Sequence, residues 1–316
     1  MLTTLLLVKN NPDALNLTLE SVKCLQSKIL VGNIGNFATI SKICHKHKVE
    51  IIDIAFKDDY ALAKNELLTN VKNGWILFLE PADKIVTGFD VIESETTDEP
   101  KSFKFNILSN GVLTKEIRLW HVQKKLSYFN PIFETIEDES AAVTNVYIVS
   151  KTRPDLKEQE DIILKWRKNK PLASSPYYYH ACVLLAQKKY KDFLSVGNHY
   201  LFLEKTGISA IMMKYYIAMI KLYIFENCNE ACNDILACLI AKPTMAEFWC
   251  LLGDVYYKLQ KYDKAICFYE NAILIGEKRF KSDDWPVEIQ KYSEYPTKMI
   301  KSCKLIRSET TQYQSS

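Results

Sequence analysis

The chain has 316 residues, with 41 basic against 38 acidic side chains, and the resulting formal charge of +3 excludes binding to nucleic acid by bulk charge. Its 48% apolar and 25% charged residues are those of a globular protein, at a length that accommodates two domains. No apolar run reaches the ~18 residues of a membrane span, and the opening MLTTLLLVKNNPD lacks the basic flank and cleavage site of an export signal. Nine scattered cysteines, an odd number with no CxxC among them, add to the expectation of a reducing, cytoplasmic setting.

In chain order, four short apolar runs come first: TTLLLVK (3–9), KILVG (28–32), VEIIDI (49–54) and GWILFL (74–79). Their Leu, Ile and Val content predicts strands buried on both faces. Between them, 12–26, 38–47 and 58–72 carry helical spacing, with Ile40, Ile43, Cys44 and His47 on one face of the second and Ala61, Leu62, Asn65 and Leu68 on one face of the third. Strand–helix alternation predicts a mainly parallel sheet, which binds ligands where its strands end. The fourth run ends in Glu-Pro-Ala-Asp (80–83), two carboxylates at such an end. Residues 87–101 read as an exposed acidic loop, and 101–109, 115–122 and 144–151 as strands of a more open, antiparallel kind.

From about 155 onward the pattern is helical and repeats. Trp249, Leu252, Gly253, Tyr256, Ala265, Tyr269 and Ala272 have the offsets of a tetratricopeptide unit, in which small residues let two antiparallel helices close and large ones fill between them. Stepping back one period of 34 residues from Trp249, Tyr256 and Ala265 reaches Tyr215, Leu222 and Ala231. A looser copy runs through 177–207, and a helix over 286–304 is expected to cap the stack, followed by a frayed tail at 306–316. The tyrosines at 177–179, 215 and 216 suit either a peptide groove or inter-helix filling.

The whole pattern resembles family 2 glycosyltransferases of GT-A fold that carry C-terminal tetratricopeptide repeats, among them the glycocin-type peptide S-glycosyltransferases. The resemblance rests on LLLVKNNPDALNLTLESVK (5–23), FKDDYALAKNELLTNVKNGWILFLEPAD (56–83), EIRLWHVQKKLSYFNPIFETI (116–136) and the repeats, in that order. It implies an α/β GT-A domain over 1–152 followed by an all-α superhelix over 153–305. It also implies an inverting transfer of sugar from a nucleotide-sugar, UDP-linked by expectation, to a peptide or protein held by the repeats. Family members hold the diphosphate with Mn²⁺ or Mg²⁺ on carboxylates, here Glu80 and, at a second position that falls on Ala82 or Asp83 according to the motif compared, Asp83; Glu134 takes the place of the general base. Asn33 stands where the family has a nucleoside-binding aspartate, and Lys64 stands where it has an arginine; these two join Glu80 and Asp83 as expected donor contacts. Phe133 replaces the histidine before Glu134, and Ser150 falls near a further family histidine. These departures set a second reading beside the first: a catalytically silent GT-A-like scaffold whose repeats bind a protein partner. Homo-oligomerisation is open under either.

Overall fold

A computed structural model of the chain describes residues 1–151, 155–276, 279 and 286–314. It divides into two compact units, Met1–Ile162 and Ile163–Ser316. The junction expected at 152–153 lies outside the described residues.

The first unit opens with β1 (Leu2–Val8), α1 (Pro12–Ser21), β2 (Ser27–Asn33), α2 (Phe37–His47), β3 (Glu50–Asp53), α3 (Tyr60–Leu68) and β4 (Trp75–Leu79). It continues with β5 (Asp83–Thr87), α4 (Phe89–Glu95), β6 (Ser102–Ser109), β7 (Val112–His121) and β8 (Ala142–Ser150). Strands pair in the order β3-β2-β1-β4-β7-β6-β8-β5. The first four are mutually parallel, with Leu5 opposite both Leu30 and Phe78. β7 then runs antiparallel to β4 and β6, β8 parallel to β6, and β5 antiparallel to β8.

Alternation along β1 sorts its side chains into two cores, as a sheet covered on both faces requires. Leu6 and Val8 join Leu15 and Leu19 of α1 and Leu77 of β4 on one side. Leu5 and Leu7 join Leu67 of α3 with Ile76 and Phe78 on the other. Each early helix begins on a side chain that accepts a backbone N–H: Asn11 from Ala14, Asn36 from Thr39 and Asp59 from Leu62.

Two local expectations are corrected. The stretch 87–101 is not all loop, because Phe89–Glu95 forms α4, two turns long and anchored by buried Ile92 with partly buried Phe89 and Val91 beside it. Two turns with three apolar residues among acids are too short a stretch for their period to show. On α3 the buried face is Ala61, Ala63, Lys64 and Leu67, whereas Leu62 is exposed. Lys64 lies three residues from both Ala61 and Leu67, and so shares their inward face.

The second unit pairs α6 (Ser175–Ala186) with α7 (Tyr190–Leu203), α8 (Gly207–Tyr223) with α9 (Cys228–Ala241), and α10 (Ala246–Lys258) with α11 (Tyr262–Ile275), after α5 (Leu156–Asn169) crosses the division between the units. These are the helix pairs of the predicted repeat, a tetratricopeptide-like stack. The expected cap over 286–304 differs: 286–293 holds an extended pair of residues and one 3-10 turn, and α12 (Glu294–Gln314) begins only at Glu294. Pro296 suits the first turn of a helix and not its interior, which sets that start. The α12 backbone stays helical to Gln314, through the stretch expected to fray. No helix among the described residues is long and apolar enough to cross a membrane.

Gly253 shows how closely a pair is packed. A Cβ there would lie 2.5 and 2.7 Å from the ring of Tyr269 on the facing helix. That ring cannot swing aside without breaking the bond from its hydroxyl to Asp254, 2.6 Å long. Gly253→Ala is therefore expected to destabilise by about 1–3 kcal/mol despite the better helix propensity of alanine, as measured by urea unfolding.

Candidate functional site

The acidic turn after β4 is a closed unit. The Glu80 backbone N–H donates to Asp83 Oδ2 at 2.9 Å, and the Asp83 N–H returns a bond to the Glu80 carbonyl at 3.0 Å. Ala82 sits between them at φ +76°, a left-handed conformation that bonds around the turn hold in place. Its N–H reaches the carbonyl of Ala14 on α1, and the Thr18 hydroxyl donates to the carbonyl of Glu80.

Lys64 enters from α3 and is 3% exposed. Its ammonium forms ion pairs with Glu80 Oε1 and, at 2.5 Å, with Glu134 Oε1. The rings of Phe78 and Tyr128 lie 5.1 and 4.7 Å from the same nitrogen. Burial opposes the charge on Lys64, but the Glu134 and Glu80 carboxylates outweigh it and hold its pKa above the usual lysine value. Glu80 is the mirror case: burial pushes it up, and Lys64 with Arg118 more than reverses this, leaving it below the usual carboxylate value.

Glu134 is carried on the long connection after β7, and Asn65, the neighbour of Lys64, fastens that connection. Asn65 accepts the Tyr128 N–H at 2.7 Å and donates to the Tyr128 carbonyl at 2.8 Å. The Tyr60 N–H adds a bond to the Pro131 carbonyl. The Lys-Asn pair of the sequence motif thus has two structural tasks, one holding carboxylates and the other holding the loop that brings one of them.

Asp83 is fully buried and turns toward Arg118 of β7, with Nη1 at 3.5 Å from Oδ2. Burial raises its pKa, and Arg118 only partly opposes that. Arg118 also lies 3.7 Å from Glu80 Oε1 and 2.9 Å from Glu116 Oε2. Sequence reasoning did not single out Arg118 or Tyr128 for this site. The signal for Arg118 was its place in IRLWH, a run otherwise fit for burial, because an arginine there demands a carboxylate partner.

The structure therefore brings together Lys64, Glu80, Asp83 and Glu134, and it places Asn33 in other bonds. Asn33, at the end of β2, donates to Asp53 at 2.6 Å and to the Gly35 carbonyl at 3.2 Å, and accepts the Gly35 N–H. Lys9, in the turn after β1, pairs with Glu158 at 2.7 Å, and the Tyr60 hydroxyl donates to the same oxygen.

This donor set does not fit a divalent cation. Glu80 and Glu134 share a resident ammonium, Asp83 faces a guanidinium and a backbone N–H, and a metal would have to displace side chains buried with their charges. Among the described residues no group of three or more His, Cys, Asp or Glu side chains is placed to hold one.

No family model and no curated protein sequence matches the chain. Solved structures that resemble part of it include MamA residues 41 to the end from Desulfovibrio magneticus RS-1, 20% identical over 49% of this chain and 88% of that one, with a TM-score of 0.36. The Sgt2 TPR domain from Aspergillus fumigatus is 15% identical over 44% of this chain and 82% of that one, with a TM-score of 0.35. A tetratricopeptide repeat protein from Parabacteroides merdae is 21% identical over 39% of this chain and 48% of that one, with a TM-score of 0.35. Scores this low carry no conclusion about activity, and the helix pairs rest on their own geometry.

Proposed function

We propose that this protein is a catalytically silent scaffold: a GT-A-like first unit kept as structure, and a tetratricopeptide-like second unit that binds a protein partner. The observation that carries the reading is Lys64, whose buried ammonium pairs with both Glu80 and Glu134 and occupies the place where they would otherwise meet a ligand. The strand order, four parallel strands followed by antiparallel β7, supports the GT-A-like reading of the frame.

The competing reading is an inverting glycosyltransferase that uses a nucleotide-sugar, with or without Mn²⁺. What favours it is convergence: Glu80, Asp83 and Glu134 meet where β4 ends, the place a parallel sheet offers a ligand. Thermal melting with UDP-, GDP- and CMP-sugars, each with and without Mn²⁺, separates the two. A ligand present at a hundredfold excess over its Kd stabilises by about 2.7 kcal/mol, a shift of roughly 5 °C or more for a unit of this size. The scaffold reading expects the melting temperature to stay put with every donor. A reproducible shift with any one of them, lost on Glu80→Ala, overturns it in favour of the enzyme.

A further inference from the structure

α10 is covered on every side, and one side carries charge. Glu247, Cys250 and Asp254 recur at i, i+3 and i+7 and are 1%, 0% and 3% exposed. What covers this stripe is the chain's own segment 286–295. Glu247 Oε2 accepts the Tyr292 hydroxyl at 2.8 Å, and Oε1 accepts the Glu288 backbone N–H at 3.0 Å. The Arg279 guanidinium lies 3.0 Å from both carboxylate oxygens. Cys250 Sγ donates to the Lys291 carbonyl at 3.3 Å, and Asp254 Oδ1 accepts the Tyr295 hydroxyl at 2.6 Å. From α8, the Tyr215 hydroxyl donates to Glu288 at 3.1 Å, and the Lys291 ammonium rests 3.6 Å from the centre of the Tyr295 ring.

The chemistry of this contact differs from that on the rest of α10. Phe248, Leu251, Leu252 and Val255 join the apolar core of α8 and α9, a packing that cannot open without exposing hydrocarbon to water. Under segment 286–295, by contrast, the helix presents two carboxylates. They are costly to bury without partners and readily hydrated when uncovered, so lifting the segment leaves a surface that water accepts. Asp254 would even keep two partners, because the Tyr223 hydroxyl of α8 and the Tyr269 hydroxyl of α11 donate to it independently of the segment.

We propose that segment 286–295 is a displaceable internal strap over the Glu247–Cys250–Asp254 face, competing with a partner protein segment that offers two tyrosine hydroxyls and a backbone N–H in the same register. The partner's chemistry is copied from the strap, since the Tyr292 and Tyr295 hydroxyls and the Glu288 backbone N–H are the strap's own donors to the two carboxylates of this face. The proposal rests on the scaffold reading, in which the repeats do the binding, and adds that the face is shut until its own segment is displaced.

Hydrogen exchange on the full chain gives the first test. The strap amides at 287–295 are expected to exchange at least about tenfold faster than those of 250–255, through local opening. Tyr295→Phe should raise the strap rates by about tenfold more and move those of 250–255 less than about threefold. Equal rates at both places in the unaltered protein, or a change of equal size at both in the variant, would overturn the strap. The second test uses a fluorescein-labelled peptide of the chain's own residues 286–297 as probe. It should bind the Tyr292→Phe/Tyr295→Phe chain at least about tenfold more tightly than the unaltered chain, and lose that gain when Glu247→Gln is added. Equal binding to both chains, or a gain indifferent to Glu247→Gln, counts against it. These readouts are separate from nucleotide-sugar binding, so failure of the strap and failure of the scaffold reading are told apart.

Discussion

Lys64→Met is expected to destabilise the first unit by about 3–5 kcal/mol, read as a fall in the urea midpoint at unchanged slope. The ammonium is nearly fully buried and serves Glu80 and Glu134 together, so its loss strands two carboxylates that accept from one nitrogen. The pH dependence identifies the cause. In the unaltered protein Glu80 is held below its usual value, so its contribution is present above the unfolded carboxylate pKa and is lost as pH falls through the lower folded value. In the variant only Arg118 is left to oppose burial, the carboxyl takes up a proton at higher pH, and the deficit relative to the unaltered protein should shrink on acidification. The triple variant Lys64→Met/Glu80→Gln/Glu134→Gln, with no buried charge left unpaired at this point, should recover most of the loss. If Lys64→Met alone leaves the midpoint in place, the ammonium is not the counter-ion of this site and the case for a silent first unit fails with it.

How far the sequence showed this arrangement can be followed residue by residue. The strands were legible because Leu5, Leu77 and their neighbours form short apolar runs that only burial on both faces explains. The repeats were legible because Gly253 and Tyr269 hold a spacing that packing enforces. The meeting of Lys64, Glu80 and Glu134 followed from the motif order, but the direction of Lys64 did not. A lysine at that motif position reads as a contact for phosphate, although its spacing of three from both Ala61 and Leu67 sets it on their buried face. Arg118 and Tyr128 were hidden for a different reason. Partners drawn from β7 and the following loop are set by sheet pairing, and no local period encodes which strand lies beside β4. The segment 286–293 misled in the opposite direction, because it reads as one continuous helix with the residues that follow it. Its carboxylate partners on α10 lie some forty positions earlier in the chain, as the 41-residue separation of Glu288 from Glu247 shows.

Asp254 was equally invisible, one acid after the glycine of a repeat, and it is expected to give the largest effect in the second unit. Asp254→Ala should cost about 3–4 kcal/mol in urea unfolding, because the hydroxyls of Tyr223, Tyr269 and Tyr295 lose a charged acceptor together. Asp254→Asn should recover less than half of that, although it is nearly the same shape. A carboxylate offers two oxygens and only lone pairs, whereas the amide offers one oxygen and turns two donors toward hydroxyls that are themselves donating. Placing Tyr295→Phe in the Asp254→Asn background removes one donor from that conflict, so the double variant should be more stable than the two single losses added together. Strict additivity would mean that the three tyrosines do not share the acid as a unit. A positive coupling between Asp254 and Tyr295 would tie the segment that crosses α10 to a charge that the repeat core already holds from its other side.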